Sequence, residues 1–453
     1  MKKLLQFSIL FALTVYSENK PNILFISIDD LNDFPAYMEI CQDAKTPNMD
    51  RLAGKGIYFT KAHSPYPLCG PARASIMTGF RPSTLDISWH VGDSAVVKKA
   101  ENLGGKALHT YFSENGYKTM AVGKIFHNHV PKGSVDESGG RESFSKGTGN
   151  LKQNWPQNGT STDWAMAPDE DSMLPDYKTA EWAVDQLKKK HDKPFMLMVG
   201  FLRPHVPWYV PKKWFDLYDK SKITLPPYKL DDLDDIPEPG KKNISSQYPG
   251  TEWALKNDKW RDIIHAYLAC ISFVDHQLGK VLDALESSPY KDNTIIVLWS
   301  DHGYHLGEKG TFQKMTLWER ASHVPFIFAG PGIQAGQKCR RTVGLLDLYP
   351  TLLDLCTLKK NSKNEGRSLV PLLKNPGLQW DHPVITSYGG NNFAVQTERY
   401  RYISYEDGSE ELYDHQKDPH EWNNLAKNPE TEEIRQKLKS QLPRSRFTKF
   451  KKK

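Results

Sequence analysis

Short apolar runs recur along this 453-residue chain, and they constrain its fold more than any other feature. The runs are NILFISI (22–28), YKTMAVG (117–123), FMLMVGF (195–201), TIIVLWS (294–300) and PFIFAG (325–330). Each is rich in branched or aromatic residues and shows no polar face, which is typical of a strand buried inside a parallel sheet. Segments of helical character separate them. The pattern predicts an α/β protein with a large, mainly parallel sheet flanked by helices.

The helical segments follow at intervals that suit crossover connections between parallel strands. They are predicted at 105–116, 178–190, 260–285 and 345–356. Two polar stretches rich in Gly, Pro or Asp, 131–176 and 221–255, are predicted to be long loops. Loops of this length inside a compact domain usually carry function, so we expect them to shape a substrate pocket.

The pattern changes after about residue 375. Short alternating segments between 383 and 415 predict a small antiparallel sheet, and ETEEIRQKLKSQL (430–442) predicts a helix after it. We therefore expect a catalytic domain over residues 18–375 and a C-terminal α+β subdomain over 376–453, which ends in a basic tail.

The N-terminus, MKKLLQFSILFALTVYS, has a basic start, an apolar stretch and a small residue at Ser17. This predicts a signal peptide over 1–17, and its apolar stretch is too short for a stable membrane anchor. With 38% hydrophobic and 25% charged residues, the rest is typical of a soluble globular protein. The expected location is therefore periplasmic or secreted.

The formal net charge is +6, and much of it lies in the final run RSRFTKFKKK (444–453). Such a run is usually a solvated tail, and contact with a polyanion is the alternative. We expect no nucleic-acid partner. The cysteines are odd in number and widely spaced, so they do not form a disulfide framework. Cys339 and Cys356 are one candidate pair, and Cys69 is the candidate for the cysteine left over.

Polar residues follow three of the predicted strands where these end, which is where open α/β sheets place their active sites. They are Asp29 and Asp30, Lys124 and His127, and Asp301 and His302. An Asp-Asp pair alone could equally cap a helix, but a second acidic cluster at another strand end favours a metal site. The carboxylates favour Ca²⁺ or Mg²⁺, and the histidine keeps Zn²⁺ or Mn²⁺ open.

The stretch CGPARASIMTG (69–79) places Cys69 before a proline, an arginine and a predicted helix start. Arg73 lies one helical turn after Cys69, where it could face an anion or stabilise an activated nucleophile. This motif resembles the sulfatase signature Cys-x-Pro-Ser/Ala-Arg, in which the cysteine is oxidised to formylglycine during export. Ala72 stands here in place of the commoner serine.

The resemblance covers nearly the whole mature chain and looks closest to the iduronate-2-sulfatase branch of the alkaline phosphatase superfamily. The similar segments are NILFISIDDLN (22–32), TPNMDRLAGKGIYFTKAH (46–63), ENGYKTMAVGKIFH (114–127), RPHVPW (203–208), SDHGYHLGEKGTFQK (300–314) and the C-terminal ELYDHQKDPHEWNNLA (411–426). The resemblance implies an alkaline phosphatase-like fold and an exported sulfatase acting on a sulfated oligo- or polysaccharide. It also implies a formylglycine-generating enzyme as a partner during maturation.

The resemblance further implies one Ca²⁺ per chain. Its ligands would be Asp29, Asp30, Asp301, His302 and the modified Cys69. A hydrated aldehyde offers two hydroxyls on one carbon, and one of them would attack sulfur. Besides the metal, the cations that offset the sulfate charge would be Arg73, Lys124 and Lys314. His205 or Lys314 would protonate the leaving oxygen, and His127 would take a proton from the second hydroxyl so that sulfate leaves.

Aromatic side chains are the candidates for a sugar subsite, because their faces stack on pyranose rings. They are Trp89, His90, Trp208, His305 and Trp318. Three rival functions stay open. These are a phosphonate or phosphate ester hydrolase, a glycan-binding protein that has lost catalysis, and a hydrolase that uses an unmodified Cys69 thiol with His127.

Overall fold

The structure, a computed structural model, describes residues 20–149, 151–155, 162–245 and 249–448. The predicted signal peptide and the last five residues of the basic tail lie outside the described residues. None of the helices in the described ranges combines the length and the apolar character needed to cross a membrane.

The strands of the described residues form one large sheet, one small sheet and a short two-stranded ribbon. They are β1 (Asn22–Ile28), β2 (Gly56–His63), β3 (Lys118–Gly123), β4 (Glu137–Gly140), β5 (Trp164–Met166), β6 (Phe195–Phe201), β7 (Trp208–Val210), β8 (Thr294–Ser300), β9 (Phe326–Ala329), β10 (Gln337–Gly344), β11 (Val384–Tyr388), β12 (Asn392–Gln396), β13 (Tyr400–Ser404) and β14 (Glu410–Asp414).

The large sheet has the order β10-β2-β9-β8-β1-β6-β3-β4. Its strands run parallel to one another except β9, which is antiparallel to both of its neighbours. The predicted α/β class with a mainly parallel sheet is confirmed. The sequence did not predict β2, β4 or β10, and it gave no sign that β9 is reversed.

Helices cover both faces of this sheet. The helices of the described residues are α1 (Pro47–Gly54), α2 (Cys69–Thr78), α3 (Pro82–Leu85), α4 (Asp93–Asn102), α5 (Leu108–Glu114), α6 (Pro175–Lys188), α7 (Lys212–Phe215), α8 (Glu238–Ser245), α9 (Thr251–Lys256), α10 (Trp260–Glu286), α11 (Glu319–Ser322), α12 (Leu348–Leu355), α13 (Val370–Lys374) and α14 (Glu432–Lys439). Each predicted helix overlaps one of them. The predicted loop 131–176 contains β4 and β5, and the predicted loop 221–255 contains α8 and most of α9.

The side chains of β1 alternate between two apolar cores, as the period of a strand requires. Leu24 and Ile26 enter the core beneath α1, α6 and α10, whereas Ile23 and Phe25 enter the core beneath α2, α5 and α12. A strand buried on both faces cannot move without disturbing both cores. The residues that follow it are therefore held on a rigid support.

The C-terminal strands β11 to β14 form an antiparallel meander, and α14 packs against it. This confirms the predicted small sheet, whereas the division at 375/376 stays a prediction. Cys339 and Cys356 are not bonded, because all five cysteines are free. The proposed Cys339–Cys356 pair is therefore wrong for this structure. Each of these two thiols lies in the core against other partners instead.

A buried arginine joins the C-terminal sheet to α11 and the residues around it. Arg401 of β13 donates to the carbonyl of Leu317 at 2.8 Å and lies 2.9 Å from Glu421 Oε1. Its other terminal nitrogen contacts Glu319, and its side chain is fully buried. A charge without access to water depends on these partners, so Arg401 fixes the C-terminal sheet against α11.

We predict that Arg401→Gln lowers the free energy of unfolding by about 3–5 kcal/mol, because it leaves two buried carboxylates without their cation. Urea denaturation followed by tryptophan fluorescence measures the change. Arg399→Gln is the matched control, since Arg399 pairs with Asp414 at the protein surface. Equal shifts for the two variants would contradict the role of Arg401.

Candidate active site

The parallel strands bring the predicted polar clusters to one edge of the large sheet. Asp29 and Asp30 follow β1, Lys124 follows β3, and Asp301 and His302 follow β8. The segment after β6 adds His205, and α2 begins at this edge with Cys69. Residues that are far apart in the sequence therefore form one site because parallel strands end on the same side.

The centre of the site is a buried set of ion pairs. Lys124 Nζ lies 2.6 Å from Asp29 Oδ2, and Lys314 Nζ lies 2.5 Å from Asp30 Oδ1. Arg73 Nε lies 2.8 Å from Asp301 Oδ2, and its Nη2 lies 3.3 Å from Asp29 Oδ1. Each carboxylate is fully buried and has a cationic partner, so these charges are compatible with a site that excludes water.

The cations keep the carboxylates ionised. Burial alone would raise the pKa of Asp29, but Lys124, His205 and Arg73 hold it well below its usual range. Burial also opposes ionisation of Asp30, and His205 and Lys314 outweigh it so that the pKa is lowered. Both groups are therefore anions at neutral pH and can act as ligands for a cation.

Arg73 faces the protein interior. Its Nη1 donates to the carbonyls of Lys124 at 2.6 Å and Ile125 at 3.1 Å, and also to Ser27 Oγ at 3.2 Å. Together with the two carboxylate contacts, these bonds engage all three of its nitrogens. Arg73 therefore neutralises and orients Asp29 and Asp301, and the structure does not aim it at an external anion.

A strained turn sets the position of Asp30. Its φ is 59°, a left-handed conformation that non-glycine residues adopt at a cost. The hydroxyl of Tyr267 donates to the Asp30 carbonyl at 2.8 Å, and the Asp30 N–H donates to Asp301 Oδ1 at 3.2 Å. These bonds hold the turn, so α10 and β8 together fix this carboxylate.

Two glycines let β3 and β6 meet closely beside Lys124. Gly123 pairs with Gly200 at the ends of these strands. A Cβ atom at Gly123 would lie 2.0 Å from the Gly200 carbonyl oxygen, and one at Gly200 would lie 2.0 Å from that of Lys124. Neither position can hold a side chain without displacing the backbone that carries Lys124.

Cys69 occupies the first turn of α2, and its thiol lies among the charged groups. The distance from Sγ is 3.2 Å to His302 Nε2, 3.3 Å to Lys314 Nζ and 3.7 Å to Asp30 Oδ1. Burial and the nearby Asp29 raise the pKa of this thiol despite the cations around it. Cys69 is therefore central in position but is not activated as a thiolate.

The acidic residues fit a bound cation. Ligand atoms of Asp29, Asp30, Cys69 and His205 lie within 4.8 Å of one another, as do those of Cys69, Asp301 and His302. The buried Asp30 Oδ2 has no hydrogen-bond partner among the described residues. A carboxylate-rich donor set of this kind suits a hard divalent ion. The structure adds His205 to this cluster, although the sequence suggested it only as a proton donor.

His127 lies beside the site with a neutral ring. Its ring stacks on that of His90, with centroids 3.7 Å apart, and burial lowers its pKa to about 2. Its Nδ1 has no hydrogen-bond partner within the described ranges. His90 in turn packs on Gly70, where a Cβ atom would lie 2.5 Å from His90 Nδ1. The stacked pair is thus adjacent to the residue that follows Cys69.

The aromatic candidates for a sugar subsite divide into two groups. Trp89 and His90 are partly exposed and lie next to each other near the site. Trp208 and His305 are fully buried, and they bond to the Pro204 carbonyl and Thr316 respectively. Trp318 is likewise buried and donates to Glu411. The sugar role proposed for these last three is incompatible with their burial, because no ring face reaches solvent.

The proton donors suggested by the sequence both adjoin the acidic cluster. His205 Nδ1 bonds to the Val206 carbonyl at 2.7 Å, and its Nε2 lies 3.9 Å from Asp30 Oδ2. Burial lowers the pKa of His205 to about 4, so the ring is neutral at neutral pH. Burial acts in the same sense on Lys314, but Asp30, with Asp29 and Asp301 behind it, raises its pKa well above the usual value.

The sequence missed an aromatic ring that lies over the site. Phe144 packs against His205 with ring centroids 4.6 Å apart, and Lys124 Nζ lies 5.4 Å from the centre of the same ring. Arg141 stacks on this ring, with its Cζ 5.2 Å from the centroid. Both residues come from the long polar stretch 131–176, whose sequence has no period that could predict this placement.

A doubly covered parallel sheet with an acidic, cation-lined site at its carboxyl edge defines a hydrolase for esters of tetrahedral oxyanions. The family comparison makes this more specific. Residues 21–358 match the family model described as Sulfatase, and residues 307–448 match the model for the C-terminal region of N-sulphoglucosamine sulphohydrolase. The chain belongs to the sulfatase family and is a sulfuric ester hydrolase.

Relatives and solved structures agree with this assignment. The chain is 49% identical to a sulfatase of Formosa agariphila, over 95% of this chain and 88% of that one. It is 30% identical to human iduronate 2-sulfatase, over 75% and 69% of the two chains. The structure of a 2-O GAG sulfatase matches with a TM-score of 0.73 at 25% identity, over 93% and 91% of the chains.

We predict that Lys124→Met lowers kcat/KM by about 10²- to 10³-fold, because it removes a preorganised cation from the site and leaves Asp29 Oδ2 without its ion pair, while Arg73 still contacts Oδ1. Lys118→Met is the matched control at the other end of β3, where Lys118 pairs with Glu137 near the surface. Release of inorganic sulfate from an aryl sulfate measures the effect. Thermal melting of both variants separates lost chemistry from lost folding, and an active, folded Lys124→Met would refute the prediction.

Proposed function

We propose that this sulfatase hydrolyses a sulfate ester of a sulfated glycan, with a formylglycine made from Cys69 and one bound Ca²⁺. The observation that carries the proposal is the position of Cys69. It begins α2 at the centre of the acidic cluster, and the Cys-x-Pro-x-Arg pattern is intact around it. A protonated, buried thiol is a poor nucleophile, whereas an aldehyde hydrate at the same carbon supplies two hydroxyls.

The glycan substrate is supported by the names of the similar proteins. Human iduronate 2-sulfatase and the 2-O GAG sulfatase are named for sulfated saccharides, and the C-terminal family model is that of an N-sulphoglucosamine enzyme. The partly exposed Trp89 and Phe144 offer ring faces near the site on which a sugar could stack. The proposal does not extend to iduronate itself.

Export is proposed from two independent features. The first seventeen residues have the pattern of a signal peptide. In the folded chain Cys69 is only 1% exposed and Arg73 is 0% exposed, so a modifying enzyme could not reach either residue. A formylglycine-generating enzyme would therefore act on the chain before it folds, which suits a protein in transit to the periplasm or the exterior.

The cation would be held by Asp29, Asp30, Asp301 and His302, with the modified residue 69 completing the set. When bound, it would lower the energy of negative charge that develops on the sulfate oxygens. The surrounding residues have separate tasks. Lys124 and Lys314 hold positive charge at the site, and Arg73 keeps two of the carboxylates in place from beneath.

Proton transfer would involve the histidines and Lys314. We assign to His127 the removal of the proton whose loss releases sulfate, because its ring is neutral and its Nδ1 has no hydrogen-bond partner among the described residues. The protonated Lys314 is a candidate proton donor, because its Nζ lies 3.3 Å from Cys69 Sγ. His205 shares the task of protonating the leaving oxygen only if it first gains a proton, because its pKa is lowered to about 4.

The nearest rival is a phosphonate or phosphate ester hydrolase, since the same architecture can bind other tetrahedral anions. The discriminating experiment compares kcat/KM for aryl sulfate, aryl phosphate and aryl phosphonate esters on fully modified protein. Preference for the sulfate supports the proposal, and preference for either phosphorus ester would replace it. Binding of sulfated oligosaccharides without release of sulfate would indicate a glycan-binding protein instead.

We expect the tryptic peptide Ala62–Arg73 of the exported protein to show the mass loss that exchange of the Cys69 CH₂SH group for CHO requires. Cys69→Ser offers one hydroxyl where the aldehyde hydrate offers two, so it should accept sulfate once and then stop. Mass spectrometry after incubation with aryl sulfate tests for a sulfated protein. An unmodified thiol in an active enzyme, or multiple turnovers by Cys69→Ser, would refute the formylglycine proposal.

We also expect chelation with EGTA to abolish activity and added Ca²⁺ to restore it. Asp30→Asn should weaken the recovery, because it removes the charge of a ligand whose Oδ2 accepts no hydrogen bond from the described residues. Titration of activity against free Ca²⁺ measures the change. Restoration by Zn²⁺ or Mn²⁺ but not by Ca²⁺ would show that the cation is a different one.

A further inference from the structure

Arg141 is a partly buried cation beside the site, and the proposed mechanism gives it no role in catalysis. It follows β4 directly, and its guanidinium carbon lies 5.2 Å from the centre of the Phe144 ring. That ring also contacts His205 and lies 5.4 Å from Lys124 Nζ. Phe144 thus links Arg141 to two residues of the reaction centre.

Within the described ranges, the Arg141 guanidinium forms no hydrogen bond and no ion pair. Three other partly buried arginines of the chain pair with carboxylates. Arg51 contacts Asp283, Arg81 contacts Glu365, and Arg341 contacts Glu398. A guanidinium has five donors in a rigid fork, so a partly buried one without an acceptor is a suitable site for an oxyanion.

The acidic groups that face Arg141 are already engaged. Asp29 accepts from Lys124 and Arg73, and Asp93 accepts from the backbone N–H groups of Asn128 and His129. Burial lowers the pKa of Arg141, while Asp29 and Asp93 act in the opposite direction. Neither carboxylate forms an ion pair with the Arg141 guanidinium among the described residues, and the contacts of Phe144 place Arg141 near the reaction centre.

We propose that Arg141 forms an anion subsite that binds a second negatively charged group of the substrate while the reacting sulfate ester lies at residue 69. The inference rests on the proposed sulfatase function and narrows it to substrates that carry two anionic groups. The second group is a carboxylate or a sulfate, since both present oxygens that match the guanidinium fork. The Phe144 ring packs near the guanidinium without accepting a hydrogen bond from it, so the N–H donors stay available for an oxyanion.

Four probe molecules test the proposal on the holoenzyme. They are an aryl sulfate, a neutral hexoside with one sulfate, a hexuronide with one sulfate and a hexoside with two sulfates. Each sugar is measured as a substrate and as a competitor of aryl sulfate turnover, so that a sugar that is not hydrolysed still reports its binding. The hexuronide and the disulfated hexoside distinguish a carboxylate from a sulfate as the second anion.

We expect the wild-type protein to bind a doubly anionic sugar more tightly than the neutral hexoside sulfate. Arg141→Gln should weaken binding of that sugar by about 10- to 100-fold, chiefly in KM or in the inhibition constant, and should remove the preference. Arg141→Lys should restore part of it, because it keeps the charge without the fork. Lys146→Gln is the matched control, since Lys146 lies in the same segment and pairs with Glu142 at the surface.

Two results would overturn the subsite. One is a wild-type enzyme with no preference for a second anion, and the other is an Arg141→Gln variant that behaves like Lys146→Gln on every sugar. Failure of the proposed function has a different signature, which is absence of aryl sulfate turnover by fully modified protein. In that case calorimetric binding of the same sugars to wild type and Arg141→Gln decides the subsite alone.

Discussion

The ion pairs of one buried guanidinium hold the site together. Arg73 contacts Asp29 after β1 and Asp301 after β8, and it also donates to the carbonyls after β3. These contacts tie α2 to the ends of three strands. Because Arg73 lies one turn after Cys69, the same contacts fix the start of the helix that carries Cys69. The site and the carboxyl edge of the sheet therefore depend on one side chain.

The residues of the reaction centre and those proposed to bind the substrate lie on different kinds of structural element. The carboxylates follow strands that are buried on both faces, and Tyr267 holds the turn at Asp30. The close Gly123–Gly200 contact positions the backbone that carries Lys124. Arg141 and Phe144 instead lie in the irregular segment after β4. Rigid elements give the precision that catalysis needs, whereas loops can change sequence without loss of the core. This division is consistent with a family that keeps its chemistry and varies its sugars.

The sequence predicted the reaction centre well for a physical reason. The strands β1, β3, β6 and β8 are apolar on both faces and so stand out, and polar residues just after them must meet at one edge. β2 and β10 were missed because polar side chains interrupt their apolar character, as in GIYFTKAH and QKCRRTVG. The antiparallel direction of β9 could not be predicted, because a short apolar run reads the same in a parallel and in an antiparallel strand.

The residues outside the strand ends were harder to predict. Trp208 and His305 occur in or beside site motifs in the sequence, yet both side chains are buried in the core. Trp208 begins β7, and His305 lies a few residues after β8. Arg141 and Phe144 show the reverse case, because nothing in the polar stretch 131–176 distinguishes them from their neighbours. Tyr267 acts on Asp30 from across the fold, through a backbone carbonyl that no sequence pattern identifies.

The charges of the site connect the two proposals. Within the protein itself, Asp29, Asp30 and Asp301 are matched in number by Arg73, Lys124 and Lys314. A bound divalent cation would leave this set with excess positive charge, and a sulfate ester brings only one negative charge to offset it. Arg141 adds a further cation at the mouth. A substrate with a second anionic group therefore matches the field of the site better than a singly charged one, since a site with low access to water screens such charges weakly.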